Sequence, residues 1–297
     1  MLRNILRKLY ATYENYGAGR KNRLIRKVKN KTQGMQSLSV YNKYYAYAKS
    51  IHQGNIFDLG TGQGGSTISL ALGLMDNPNV QRKQVYACDQ FFQYRQGPHR
   101  FSLSDNPDGC VQKNILTMQG HLRAFGVEDI VTIVPGALKS FPVDAKGDRD
   151  IGLIALDTDG YIDRDFGIFF DNVVHQGIMI IDDYAQSVNR NGHNNLAKVQ
   201  GKSGYEIQSY VNTMKDKLNG GPRILGKHLL TYRLATFFES LGLIEPIEVV
   251  RNTLFARKVT EKTFQDLCDH GVLEEIKFGI QKDFVRIAEG KMKISNV

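Results

Sequence analysis

The chain is poor in cysteine. Cys88, Cys110 and Cys268 stand apart, with no Cys-x-x-Cys pair and no even-numbered set. That excludes a disulfide framework and a cysteine zinc site, and it suits a reducing compartment, so a cytoplasmic location is expected. Long apolar runs are missing too. No stretch approaches the roughly 20 residues needed to cross a bilayer, and the N-terminus lacks the unbroken apolar core of a secretory signal. Internal repeats and low-complexity tracts are likewise absent. Acidic residues are scarce at one end only. Residues 1–33 hold ten of the 39 Lys and Arg but one of the 30 Asp and Glu, Glu14, so the remaining 29 of each sign balance. The net charge of +9 therefore belongs to an N-terminal extension, residues 1–37, and not to the body.

In that extension Leu2, Ile5, Leu6, Leu9 and Tyr10 share one helical face, with Arg3, Arg7 and Lys8 largely elsewhere. Such a helix can pack on the body or on a second copy of the chain. It can also lie on an anionic membrane surface or touch RNA. Blocks of like charge are usually solvated tails, which favours packing over either anionic partner. At 297 residues the chain is long enough for a full core.

Glycine is concentrated in one place. Asn55-Ile56-Phe57-Asp58-Leu59 is a short apolar run carrying an acid, followed by Gly60-Thr61-Gly62-Gln63-Gly64-Gly65-Ser66 and then Thr67 to Leu72 at helical spacing. This reads as strand, tight turn and helix N-terminus, the arrangement that brings backbone N–H groups against a nucleotide-like ligand. Gly60, Gly62 and Gly65 fit Gly-x-Gly-x-x-Gly, a weak signal alone. Asp58 just before it sharpens the signal, as does Asp89 at the end of the next apolar strand, Lys83 to Asp89. A carboxylate at that end can accept both ribose hydroxyls of an adenosine. NAD-binding domains and class I S-adenosylmethionine (SAM) methyltransferases share this plan. An acid at Asp58 would repel a pyrophosphate and welcome the ammonium and sulfonium of SAM, which favours SAM. The candidate cofactor contacts are Asp58, Gly60, Thr61, Gly62, Gly65, Ser66, Asp89, Gln90, Gly136 and Ala137. Phe91 and Phe92 either stack near the adenine or enter the core.

The rest alternates strands and helices. A helix is expected over 38–53, its tyrosine stripe belonging to the core. Another runs from Cys110 to Phe125, and strands follow at Ile130–Val134, Ile151–Asp157 and Gly177–Asp183. Phe166, Phe169, Phe170 and Val173 share a helix face between the last two. Helices near 203–218 and 229–241 precede an antiparallel pair, Leu243–Val250 and Thr253–Lys258. The expectation is an α/β, doubly wound, Rossmann-like sheet of seven mostly parallel strands over 38–259, with a C-terminal helical appendage over 260–297. Tyr184 to Lys202 is polar, rich in Asn and Gly and long for a connector, so it reads as a lid.

Four of these strands end in aspartate: Asp58, Asp89, Asp157 and the pair Asp182-Asp183, with Asp159 two residues beyond Asp157. Carboxylates gathered at one sheet rim raise one another's pKa values and need relief. A divalent cation relieves Asp157, Asp182 and Asp183, and oxygen-only ligands select a hard ion such as Mg²⁺.

Leu156-Asp157-Thr158-Asp159-Gly160-Tyr161 and Ile180-Ile181-Asp182-Asp183-Tyr184, behind Phe57-Asp58-Leu59-Gly60-Thr61-Gly62, resemble the macrocin and mycinamicin sugar O-methyltransferases. The resemblance runs from about residue 50 to 185 and implies a Mg²⁺-dependent class I methyltransferase acting on a sugar hydroxyl. It implies metal ligation by Asp157, Asp182 and Asp183. The family reads closer to Asp-Gly-Asp-x-Tyr where this chain has Asp-Thr-Asp-Gly-Tyr. Catechol-type methyltransferases place a lysine three residues after the first of these acids, and Gly160 stands there instead.

Such an enzyme aligns an in-line displacement, with a bound ion acidifying the acceptor hydroxyl and a general base taking its proton. Asp159 is the candidate base, with His193 on the lid as runner-up. His99, His175 and His228 have no motif company and read as structural. The expected partner is a small-molecule or glycan acceptor, with self-association through the N-terminal helix and peripheral membrane contact as further options. Nucleic acid is disfavoured because the acids repel phosphate. An RNA methyltransferase, a non-methylating hydroxylase-like enzyme and a scaffold of the same fold are the alternatives.

Overall fold

The computed structural model describes residues 19, 22–81, 84–91, 93–95, 101–103, 107–136, 150–217 and 221–296. The Leu2–Tyr10 face, Phe92, His99 and Ala137 lie outside these residues. The chain divides into two compact units, Met1–Phe141 and Pro142–Val297. Its long strands make up one mostly parallel seven-stranded sheet, the α/β class that the alternation of elements implies. Among the described residues, no helix is long and apolar enough to cross a membrane.

The first unit runs α1 (22–32), α2 (Leu38–Ser50), β1 (Asn55–Leu59), α3 (Gly65–Met75), β2 (Val85–Asp89), β3 (Gln93–Arg95), β4 (Phe101–Leu103), α4 (Pro107–Phe125) and β5 (Val131–Pro135). β2 pairs in parallel with β1 on one side and β5 on the other. Every residue of β1 is buried, Asp58 included, as befits a parallel strand covered on both faces. Tyr41, Tyr44 and Tyr45 of α2 are core. α2 stops at Ser50 instead of continuing to 53. Asn77 donates from Nδ2 to the carbonyls of Ala48 and Ile51 at 3.0 and 2.8 Å, satisfying acceptors that the helix end leaves open. The antiparallel pair β3–β4 is new, its strands being too short to carry a readable alternation.

The second unit runs β6 (Ile151–Leu156), α5 (Ile162–Phe169), β7 (Val173–Ile181), α6 (Arg190–Ala197), α7 (Gly204–Lys217), α8 (Lys227–Ser240), β8 (Ile244–Val250), β9 (Thr253–Lys258), α9 (Phe264–Leu267) and α10 (His270–Ala288). β6 and β7 are parallel, β9 lies antiparallel to β7, and β8 pairs back on β9 as the expected antiparallel pair. Tyr184–Lys202 is no bare loop. It contains α6, whose first turn is capped by the Asn189 side chain accepting from Gly192 N–H, and it buries Val188, Leu196 and Val199.

Aromatic packing holds this unit together. Phe166 stacks on Phe238 at 4.6 Å between centroids and on Phe170 at 5.4 Å, while Phe264 meets Phe238 edge-on at 5.5 Å. Phe166, Phe170 and Phe238 are essentially inaccessible. Phe238→Ala leaves a ring-sized void among buried aromatic neighbours. It is expected to cost about 3–5 kcal/mol of unfolding free energy, read from the shift in urea midpoint.

Candidate functional site

In the first unit the site is built by the turn between β1 and α3. Gly60, Gly62 and Gly64 have φ of 87°, 54° and 89°, conformations that a side chain resists. A Cβ added to Gly62 would meet nothing within 4 Å, so the loop crest is open. Gly65 is closed by contrast. A Cβ there would fall 2.6 Å from Tyr41 Oη and 2.9 Å from Thr32 Oγ1, so its glycine is needed for packing against α1 and α2. Thr61 is buried, with Oγ1 on Met118 Sδ at 3.8 Å, and His121 Nδ1 lies 3.0 Å from the Gln63 carbonyl. Helix α4 thus steadies the loop, through residues that carry no sequence signal.

The two acids of this unit differ. Asp89 accepts from Gly62 N–H at 2.8 Å on Oδ2 and from Phe91 N–H at 2.9 Å on Oδ1, so its carboxylate is aimed by backbone. Phe91 itself is buried at φ 55°, rare for an aromatic residue, and Asn114 Nδ2 holds its carbonyl at 2.8 Å. Of the two options for Phe91, entry into the core is the one seen. Gly136 N–H reaches the Asp89 carbonyl at 2.9 Å, placing the end of β5 beside it. Gln90 is exposed next to it. Asp58, expected to face a cationic ligand, is only 2% exposed. Its Oδ2 accepts from Ser66 Oγ at 2.8 Å and Thr67 Oγ1 at 2.5 Å, so both Asp58 and Ser66 are employed in fixing the first turn of α3.

In the second unit Asp157, Asp182 and Asp183 come together as expected, each offering an oxygen within 4.8 Å of the others. Burial pushes the Asp182 carboxyl up to about 8, helped by the charges of Asp157 and Asp183 and opposed by Thr253 Oγ1 at 2.7 Å. Asp183 adopts φ 57°. Burial raises its pKa, but the hydrogen bond from His228 and the charge of Lys227 outweigh this and leave it below the ordinary carboxylate value.

Sequence reading missed these two partners, and it took His228 as a residue without company. Lys227 Nζ is ion-paired with Asp183, and lies 3.5 Å from Asp157 Oδ1 and 3.4 Å from the Thr158 carbonyl. His228 Nε2 is 2.6 Å from Asp183 Oδ1. Both sit at the start of α8, far along the chain from the acids, and nothing local announces the pairing.

Asp159 is not free to accept a proton. Both oxygens are taken by Arg164, Nη1 on Oδ2 and Nη2 on Oδ1 at 3.0 Å each. Burial raises its pKa, yet the Arg164 hydrogen bonds and charge overcome that and hold it low. Arg164 also binds buried Asp165, which Thr158 Oγ1 approaches at 2.7 Å. His193 is exposed on α6.

No family model matches the chain, and no curated protein matches it. Among solved structures it is similar to cofactor-bound Rv0187 from MTB, at 15% identity over 86% of this chain and 97% of that one, TM-score 0.49. It is also similar to a putative caffeoyl-CoA O-methyltransferase from Staphylococcus aureus, at 13% identity over 85% and 99%, TM-score 0.47. A third is the O-methyltransferase TomG from Streptomyces achromogenes, at 11% identity over 80% and 89%, TM-score 0.47. At such identities and scores these likenesses decide nothing about activity.

The raised pKa of Asp182 has a consequence for stability. Between 3.8, where the unfolded carboxyl ionises, and about 8 the folded state holds the proton more tightly. The metal-free protein therefore loses stability as pH rises through that window. Asp182→Asn removes this penalty. It is expected to be more stable than the parent above pH 8, by about 1 kcal/mol or more, and little different near pH 4, as measured by thermal unfolding in chelator.

Proposed function

We propose that this chain is a class I SAM-dependent O-methyltransferase that acts on a hydroxyl of a sugar or glycosylated small molecule. The observation that carries the reading is Asp89. Two backbone N–H groups fix its carboxylate at the carboxyl end of a parallel strand, beside a glycine loop whose crest is open. That is where sheets of this class take adenosine-bearing ligands, and the remaining lone pairs suit a ribose diol. Bound SAM supplies the methyl electrophile. NAD fits less well. The buried Asp58 carboxylate already sits on hydroxyls of the first turn of α3, so the positive end of that helix is partly offset by an internal anion that would also repel a pyrophosphate. The proposed cofactor contacts remain Gly60, Thr61, Gly62, Asp89, Gln90, Gly136 and Ala137. Asp58, Gly65 and Ser66 act by shaping the loop.

Asp157, Asp182 and Asp183 fit a hard divalent ion, Mg²⁺ by donor chemistry, since three carboxylates converge and burial alone leaves Asp182 reluctant to ionise. Such an ion lowers the pKa of an acceptor hydroxyl. Three side chains compete for its proton. Asp159 serves once Arg164 is displaced, His193 if α6 moves as a lid, and His228 from its place on Asp183. A cytoplasmic location, with self-association or peripheral membrane contact through residues 1–37, completes the proposal.

Calorimetric titration of SAM tests it. Micromolar binding is expected in the parent protein, weakened about 10–100-fold in Asp89→Ala, the worth of charged hydrogen bonds. No SAM binding, or binding of NADH in its place, would overturn the reading.

A further inference from the structure

We propose that Lys227 is the resident cation of the Asp157–Asp182–Asp183 cluster, and that its ammonium and a divalent ion occupy the cluster by turns. The inference rests on the metal reading above, and concerns what the protein does at that cluster before an ion arrives.

Charge balance comes first. Three convergent carboxylates without a counter-ion would repel one another strongly, and the structure answers with one ammonium placed between two of them. The ammonium pairs with Asp183, approaches Asp157 and takes the Thr158 carbonyl. These are acceptors that a hard cation would also use, so an ion bound by Asp157 and Asp183 and the ammonium seated between them exclude each other by repulsion. Lysine suits the task because it is a point charge on a flexible stem, with no fixed fork to hold it in one geometry.

The surroundings decide what moves. A Cβ on Gly160, at φ 92°, would fall 2.9 Å from Lys227 Cβ and 3.1 Å from its carbonyl, so the β6–α5 turn closes directly on the Lys227 backbone. Gly226, at φ 102°, is packed against the Asn189 side chain that caps α6. Asn195 Nδ2 further ties α6 to the Ile224 carbonyl at 2.9 Å. The backbone at the start of α8 is thus pinned from both sides. Exchange falls to the side chain alone, which is 28% exposed. His228, on the other oxygen of Asp183, keeps that carboxylate in place during the exchange.

Two measurements test this on the full chain. Binding of Mn²⁺, followed by loss of the free-ion paramagnetic signal, is expected to be at least about tenfold tighter in Lys227→Met, because a competing charge at contact distance is gone. Equal or weaker binding in Lys227→Met would overturn the proposal. Asp182→Asn tests the metal reading separately: it should bind Mn²⁺ poorly with either residue at 227, and full retention would sink that reading instead. Should Lys227→Met fail to fold, acylation of the parent protein read by mass spectrometry decides. Saturating Mg²⁺ is expected to raise labelling of Lys227 several-fold. Lys258, buried on the Phe170 and Val173 carbonyls, should stay unchanged. Unaltered Lys227 labelling at saturation would overturn the proposal.

Discussion

Like charge held at short range is the constraint on which the second unit depends. Two ionised carboxylates about 4 Å apart repel by about 4 kcal/mol at the effective dielectric of a protein surface, and Asp182 keeps its proton up to about pH 8 instead of adding a third charge beside Asp157 and Asp183. The groups that offset this repulsion come from separate elements: Lys227 and His228 from α8, Thr253 from β9. Closing the tertiary structure and neutralising the cluster are therefore one event. The aromatic packing of Phe166 against Phe238 of α8 serves the same end, since it seats the helix that delivers the ammonium.

The first unit solves a different problem with the same residue type. Asp58 and Asp89 lie at the carboxyl ends of neighbouring strands, one residue before the last of β1 and at the last of β2, yet one is sealed under α3 and the other is presented by two amides. The difference lies in what each neighbour can donate. Hydroxyls at Ser66 and Thr67 reach inward to Asp58, whereas Gly62 and Phe91 turn their N–H groups toward Asp89. The Asp58 carboxylate is a structural clamp, whereas that of Asp89 is oriented by main chain alone.

Most of the fold was legible because parallel strands advertise themselves as apolar runs ending in acids, and helices by their spacing. The glycine loop, the sequence of strands and the meeting of Asp157, Asp182 and Asp183 were all readable that way. What could not be read was anything made by residues distant in sequence with no periodic mark. Lys227 and His228 fall just before the helix expected near 229–241, and Arg164, which holds both oxygens of Asp159, belongs to no motif. Asp58 was read by its position and not by its burial, which Ser66 and Thr67 determine. The helix within Tyr184–Lys202 was hidden by a polar composition, because only three spaced apolar residues, Val188, Leu196 and Val199, are buried there.

Asp183 holds a backbone angle, φ 57°, that filters its occupants before any chemistry does. Glycine, asparagine and aspartate adopt it at the least cost, and β-branched residues resist it most. Asparagine lies a single base change from aspartate in the genetic code, and the backbone would accept it without strain. A lineage carrying this scaffold can thus silence one corner of the acid cluster, or restore it, by the smallest of mutational steps, while the main-chain conformation there stays as it is.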